Sequence, residues 1–409
     1  MRRAPLRVNV PALMRRLAAP PLSLYVHLPW CVRKCPYCDF NSYAVKDTLP
    51  ESAYVAALER DLEAQAPDVD GREVITIFFG GGTPSLFSPD AIGRVLETAR
   101  RHLAVAADAE VTLEANPGTI ERGRFTGYRS AGVNRVSLGA QSFDARQLEA
   151  LGRIHSPADT VRAAEELHAA GLTNFNIDLM YALPGQDARG AADDVAQALA
   201  LAPAHLSHYQ LTIEPGTRFA ADPPTLPVDD VAAEMLSACH EQLARAGFAR
   251  YETSAYAAAG KQCRHNLNYW MFGDYLGIGA GAHGKLTDTR SGTLYRTTQQ
   301  REPRRYVALA PRAIARQAVA PHDLPFEFMM NALRLVGGFE LATFTARTGL
   351  EWATVAPVFE TFQARGLVEI QAGTCKPTPL GVSFVNEMLL DLLPKRAIST
   401  GKAMMSMGS

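Results

Sequence analysis

The sequence predicts an α/β fold: a partial (β/α)6 TIM-like barrel followed by a C-terminal winged-helix-like α+β module. Three observations carry this. Six short apolar runs recur before about residue 215, with stretches of helical periodicity between them. The unusual polar residues fall at the carboxyl ends of successive runs. After His322 the pattern changes to closely spaced helices around a short hairpin.

The runs are SLYVHL, EVITIFFG, AEVTLEAN, NRVSLGA, NFNIDLMYAL and HLSHYQLTI, and the intervening helical segments include ESAYVAALERDLEAQA, PDAIGRVLETARRHL and DTVRAAEELHAAG. Strand, helix, strand in repetition implies parallel pairing with right-handed crossovers. Six such units within residues 23–215 suit a partial barrel better than a short open sheet. Gly171 and Gly247 follow helices where a left-handed cap is wanted. Residues 216–320 form a more irregular extension, and residues 321–395 read as three helices, a two-stranded wing and a last helix.

Residues 1–22 carry five arginines and no acid. A mitochondrial presequence is also Arg-rich and acid-poor. Serine is absent here, however, and prolines interrupt any helix, so the expectation is a basic, flexible arm. Residues 396–409 are expected to be a flexible tail.

The chain has 409 residues, 47% of them hydrophobic and 20% charged, with a formal net charge of −1, which argues against a protein that grips nucleic acid. The C-terminal module has eight acids against five bases from His322 to Lys395, so a structural or lid role fits it better than DNA binding. Six cysteines, three of them clustered, point to a metal site in a reducing compartment and not to a disulfide scaffold. No apolar run is long enough to cross a bilayer, so the expectation is a cytoplasmic protein with at most peripheral membrane contact.

In parallel α/β folds the chemistry gathers at the carboxyl ends of the strands. Here the first strand runs into a loop holding Cys31, Cys35 and Cys38, and the second ends in FFGGGTPS. Glu114, Gln141 and Asp178 stand at the tips of the next three. The cysteines admit two readings: zinc, with His27 as the fourth ligand, or an iron–sulfur cube with one iron lacking a protein ligand. Arg33 and Lys34 make this a polar loop, against three inert core thiols. Gly80–Gly82 would bring backbone N–H groups close to a ligand. No Lys–Ser/Thr pair follows, which excludes a phosphate loop. Glu114 is either a structural acid or a partner for a ligand ammonium or ribose hydroxyl.

The C-x3-C-x2-C loop and the GGGTP segment resemble the radical S-adenosylmethionine superfamily, over nearly the whole chain from Tyr25 onward. Within it the chain is similar to the group that holds oxygen-independent coproporphyrinogen oxidases and HemW-like heme chaperones, proteins of porphyrin metabolism. The resemblance implies a [4Fe–4S] cluster on Cys31, Cys35 and Cys38, with S-adenosylmethionine at the open iron. It implies cofactor contacts from Tyr25, Tyr37, Gly81, Gly82, Thr83, Glu114, Gln141, Arg153, Asp178 and, more weakly, Gln210.

Two features separate the branches. The oxidases resemble C-x3-C-x2-C-x-C, whereas Phe40 stands at the last position here. The chaperones carry HNxxYW, and this chain has HNLNYW from His265 to Trp270. Both favour the chaperone branch, with His265 as heme ligand and Tyr269 and Trp270 as flat apolar surface. The plainer alternative is that His265 and Asn266 close a loop and Trp270 is core. Cys263 and His283 are secondary ligand candidates. The implied partners are a heme-accepting protein, a reductant such as flavodoxin or an NADH-linked donor, and a possible second copy of the chain. The rival activity is oxygen-independent coproporphyrinogen III dehydrogenation, in which propionates become vinyl groups and the cofactor carries the radical chemistry.

Overall fold

The computed structural model describes residues 16–119, 123–309 and 314–393. Six parallel strands form in the expected order: β1 (Leu22–Leu28), β2 (Glu73–Gly81), β3 (Ala104–Ala115), β4 (Arg135–Gln141), β5 (Phe175–Tyr181) and β6 (His205–Gln210). Helices α1 (Glu51–Gln65), α2 (Pro89–His102), α3 (Arg124–Ala131), α4 (Pro157–Ala169) and α5 (Ala188–Ala200) make the crossovers.

Local chemistry explains these elements. Leu22, Leu24, Val26 and Leu28 of β1 are buried, and so is Ser23 between them, because a parallel strand is covered on both faces. Helix α2 opens with Ser88 accepting the Ala91 N–H and Pro89 at its first position, and ends on Arg100, Arg101 and His102, which complement the helix dipole. Helix α4 starts in a reciprocal Ser156–Asp159 capping box. Gly171 follows it with φ of 72°, as its reading as a cap requires.

The extension contributes to both edges of the same sheet. On the far side of β6 lie β7 (Ala249–Arg250) and β8 (Ala255–Ala257). On the near side a seventh parallel strand, β9 (Asp274–Ile278), pairs with β1, and the antiparallel β10 (His283–Asp288), β11 (Thr293–Thr298) and β12 (Ala315–Ala318) follow outward. The twelve-stranded sheet therefore ends on β12 and β7 and does not close on itself.

The C-terminal module has its own core, built around Phe328, Phe344, Phe359 and Phe362. Helices Leu324–Ala332, Leu341–Thr348 and Ala356–Ala364 surround it. The wing has three strands, not two, because Phe339–Glu340 pairs with Thr374–Pro377 beside Val368–Gln371. Of the arm expected over residues 1–22, residues 1–15 lie outside the described residues. The remainder is docked: Leu17 is buried, and the Ala18 N–H donates to Ala346 O at 3.1 Å. The tail expected over 396–409 also lies outside them. Among the described residues, no helix is long and apolar enough to cross a membrane.

Candidate functional site

The loop after β1 is held as a rigid shelf. The Gly82 N–H donates to Leu28 O at 2.9 Å, the Thr83 N–H to Trp30 O at 2.7 Å, and the Val45 N–H to Cys31 O at 2.8 Å. Asn41 ties the shelf to the extension by donating to Ala280 O and Arg301 O, both at 2.9 Å. On this shelf Cys31, Cys35 and Cys38 are half-buried free thiols facing one cavity of about 420 Å³.

The same cavity is lined by Tyr37, Gly81, Gly82, Thr83, Glu114, Gln141, Arg153, Asp178 and Gln210, so strands β2 to β6 each deliver a candidate to it. Two candidates fall elsewhere. Tyr25 faces an adjoining cavity of about 600 Å³, which shares Asp39, Phe40, Gly81 and Glu114 with the first. His265 reaches neither. It is 1% exposed, its Nδ1 lies 2.8 Å from Thr76 Oγ1, its Nε2 lies 3.0 Å from Tyr269 Oη, and its ring stacks on Phe78. Burial and nearby Arg135 push its pKa down to about 3. As the structure stands, the ring expected to ligate iron is buried and has a hydrogen-bond partner at each nitrogen, so it presents neither nitrogen to a cavity. Cys263 is likewise buried, with its thiol on Glu110 at 3.6 Å.

The glycine run also needs correction. Two of its N–H groups are not free: that of Gly81 donates to Glu114 Oε2 at 3.1 Å, and that of Gly82 to Leu28 O at 2.9 Å within the shelf. Small size is what the run supplies. A Cβ on Gly81 would lie 2.5 Å from the His27 ring, and one on Gly82 would lie 2.5 Å from Trp30 O.

The zinc reading does not fit. His27 has Nδ1 at 2.9 Å from Tyr25 Oη and Nε2 at 2.9 Å from Asn41 O, so neither nitrogen is available. Among the described residues, no three His, Cys, Asp or Glu side chains converge on one metal-ion position. Separated thiols around a common cavity suit a cube, in which each thiolate takes its own iron. Arg153 adds a positive charge to the outer shell: Nη1 donates to Cys35 Sγ at 3.7 Å and Nη2 to Gly139 O at 2.7 Å, while its buried Nε has no hydrogen-bond partner among the described residues.

Two carboxyls line the same cavity as the thiols. Burial first, and then the neighbouring Asp178, push the pKa of Glu114 up to about 8 against the pull of the Gly81 N–H. Burial also raises Asp178, opposed by donors Asn176 Nδ2 at 2.8 Å and Ser137 Oγ at 2.9 Å. Two carboxyls of this kind hold less than their full negative charge until a cation enters. Gln141 sits at a register shift in β4 with φ of 69°, which is strained for a residue with a side chain.

Sequence reasoning missed Ser137, Met180, Tyr209 and Leu211 on the cavity wall. Period two would have found two of them, since Met180 follows Asp178 and Ser137 precedes Gly139 and Gln141 on the same strand faces.

Comparison with known proteins agrees with this architecture. Residues 25–198 match the model of the Radical SAM superfamily, and residues 319–384 match that of the HemN C-terminal domain. The chain is 49% identical over 371 residues to the heme chaperone HemW of Escherichia coli (strain K12), covering 90% of this chain and 97% of that one. It is 46% identical over 374 residues to the heme chaperone HemW of Haemophilus influenzae, with the same coverage of 90% and 97%. Among solved structures, coproporphyrinogen III oxidase (HemN) from Escherichia coli shares the fold at a TM-score of 0.78 and 23% identity, over 92% of this chain and 91% of that one. The chain belongs to the radical SAM superfamily and, within it, to the family of HemW heme chaperones.

Proposed function

We propose that this protein is a heme chaperone that binds heme, carries a [4Fe–4S] cluster with exchangeable S-adenosylmethionine, and passes heme to an acceptor protein. The observation that carries the cofactor half is the cavity of about 420 Å³ lined by three free thiols and by the half-buried carboxyls of Glu114 and Asp178. Similarity to named heme chaperones supports the heme half.

Cys31, Cys35 and Cys38 would hold the cluster, which when bound supplies one-electron chemistry and an iron open to a small ligand. Arg153 offsets thiolate charge at Cys35. Glu114 and Asp178 would gain their full charge beside a cationic amine or sulfonium, and Tyr37 and Met180 offer apolar surface for a nucleoside. An acceptor protein, a flavodoxin-like or NADH-linked reductant, possible pairing with a second copy, and a cytoplasmic location belong to the same proposal.

The test is a pair of measurements on anaerobically purified protein. Iron and sulfide near four per chain with a hemin-dependent Soret band would support the chaperone. Protoporphyrinogen formed from coproporphyrinogen, S-adenosylmethionine and a reductant would replace it with the dehydrogenase. Colourless protein containing one zinc would sink both.

A further inference from the structure

The adjoining cavity of about 600 Å³ lies between β1, β9, β10, the cysteine shelf and the helix Leu324–Ala332. We infer that His283, and not His265, supplies the axial iron ligand of a heme seated in this cavity, with Arg301 receiving a propionate. This rests on the heme reading given above and names the residues that would serve it.

Heme asks three things of a protein: a flat apolar wall, a nitrogen or sulfur ligand for iron, and cations for its carboxylates. Tyr269 and Trp270 line the cavity, and Tyr269 is braced edge-on against Tyr275 at 4.4 Å between ring centroids. Its volume lies within the roughly 300–1,000 Å³ usual for small-molecule sites.

Two imidazoles line it, His27 and His283. Both nitrogens of His27 are taken by Tyr25 and Asn41. His283 opens β10 with an exposed side chain. Its Nδ1 lies 3.3 Å from Thr298 Oγ1, and Nε2 carries no hydrogen bond among the described residues. One nitrogen oriented by a neighbour and the other presented outward is how metal-binding histidines are usually arranged. Gly277 fixes the backbone there, since a Cβ on it would lie 2.0 Å from His283 O.

The cations differ in availability. Arg296 is held by Glu327 and by Tyr275 Oη, and Lys285 is buried on Asp274. Arg301 is exposed, and among the described residues its guanidinium makes only a 3.5 Å contact from Nε to Asn41 Oδ1, which leaves it open to a carboxylate. His265 acts through Tyr269, whose hydroxyl it meets at 3.0 Å, and is a positioning residue.

The experiment is hemin titration of full-length, anaerobically purified protein, read as a difference spectrum against the same protein without hemin. His283→Ala is expected to lose the wild-type Soret maximum and to recover it with added imidazole. Arg301→Ala is expected to keep the maximum and bind about tenfold more weakly, as for one lost charge-assisted hydrogen bond. His265→Gln is expected to keep the maximum with weaker binding. Circular dichroism confirms that each variant is folded. An unchanged Soret maximum in His283→Ala overturns the inference, and so does loss that imidazole cannot restore in a folded variant. Failure of the wild type to bind hemin defeats the heme reading itself, and is distinguishable from either result.

Discussion

The Gly81 N–H donates to Glu114 Oε2 at 3.1 Å, and these two residues line both the cysteine cavity and its neighbour. A single bonded pair thus forms part of the partition between the two candidate sites. Its charge state matters to both, because the carboxyl is half-buried and feels the neighbouring Asp178.

The first prediction concerns that charge. The folded pKa of Glu114 is about 8, raised from 4.5, so its contribution to stability is fully present below the unfolded value and is lost as pH rises through about 8. Glu114→Gln removes this dependence. The difference in Tm between variant and wild type is expected to move in favour of the variant from about pH 5 to about pH 9. A difference that stays flat with pH would count against the shifted carboxyl.

Gly82→Ala tests the shelf. The added Cβ would lie 2.5 Å from Trp30 O, a backbone atom that cannot rotate away, and Thr83 N–H depends on that same oxygen. Destabilisation of about 1–3 kcal/mol is expected, as for overpacking elsewhere. Iron retained per chain should fall with it. Chemical unfolding and iron analysis of the same preparation check both, and wild-type values in each would refute the packing account.

Cys35→Ser separates cluster from fold. Cys35 is half-buried on the rim, outside the main hydrophobic core. Loss of stable iron–sulfur absorbance is therefore expected with far-UV circular dichroism unchanged. Disappearance of soluble protein would mean instead that the cluster staples the chain.

What could be read from the sequence, and what could not, divides by range. The six barrel strands and the cysteine loop were legible because burial on both faces gives continuous apolar runs, and because Ser88, Ser156 and Gly171 mark helix ends locally. Strand β9 was not. Its flanking glycines answer to distant atoms: a Cβ on Gly279 would lie 2.4 Å from His27 O, and one on Gly281 would lie 2.2 Å from Asn41 Nδ2. No periodicity within GDYLGIGAGAH records that. The surroundings of His265 were illegible for the same reason, since Thr76 and Phe78, which pack on it and bond it, lie nearly two hundred residues earlier. A motif gives the residue type; the strand beside it decides whether the side chain meets solvent. The third wing strand, two residues long, is too short to leave a pattern.

The last prediction tests how β9 is anchored to the barrel. Asp274 opens that strand fully buried. Its Oδ1 accepts from Lys285 Nζ at 2.8 Å and Thr287 Oγ1 at 2.9 Å, and its Oδ2 accepts from Arg72 Nη1 and the Thr287 N–H, both at 2.8 Å. Burial opposes both charges of the Asp274–Lys285 pair. It raises Asp274, but Lys285 and Arg72 outweigh it and hold the carboxyl below its ordinary value. For Lys285 burial outweighs the attraction, and its pKa falls to about 8. Asp274→Asn leaves the ammonium buried without a counter-charge, so a loss of about 3–5 kcal/mol near neutral pH is expected. The sign with pH follows from the lysine. A base whose folded pKa lies below the unfolded 10.5 is penalised while charged and relieved as pH rises. The deficit of Asp274→Asn should therefore shrink in alkaline buffer. Adding Lys285→Met should recover much of it at neutral pH, because an apolar side chain then fills the site. Urea unfolding of the two variants at neutral and alkaline pH decides the matter, and a deficit that grows with pH would show that Lys285 is not the stranded charge.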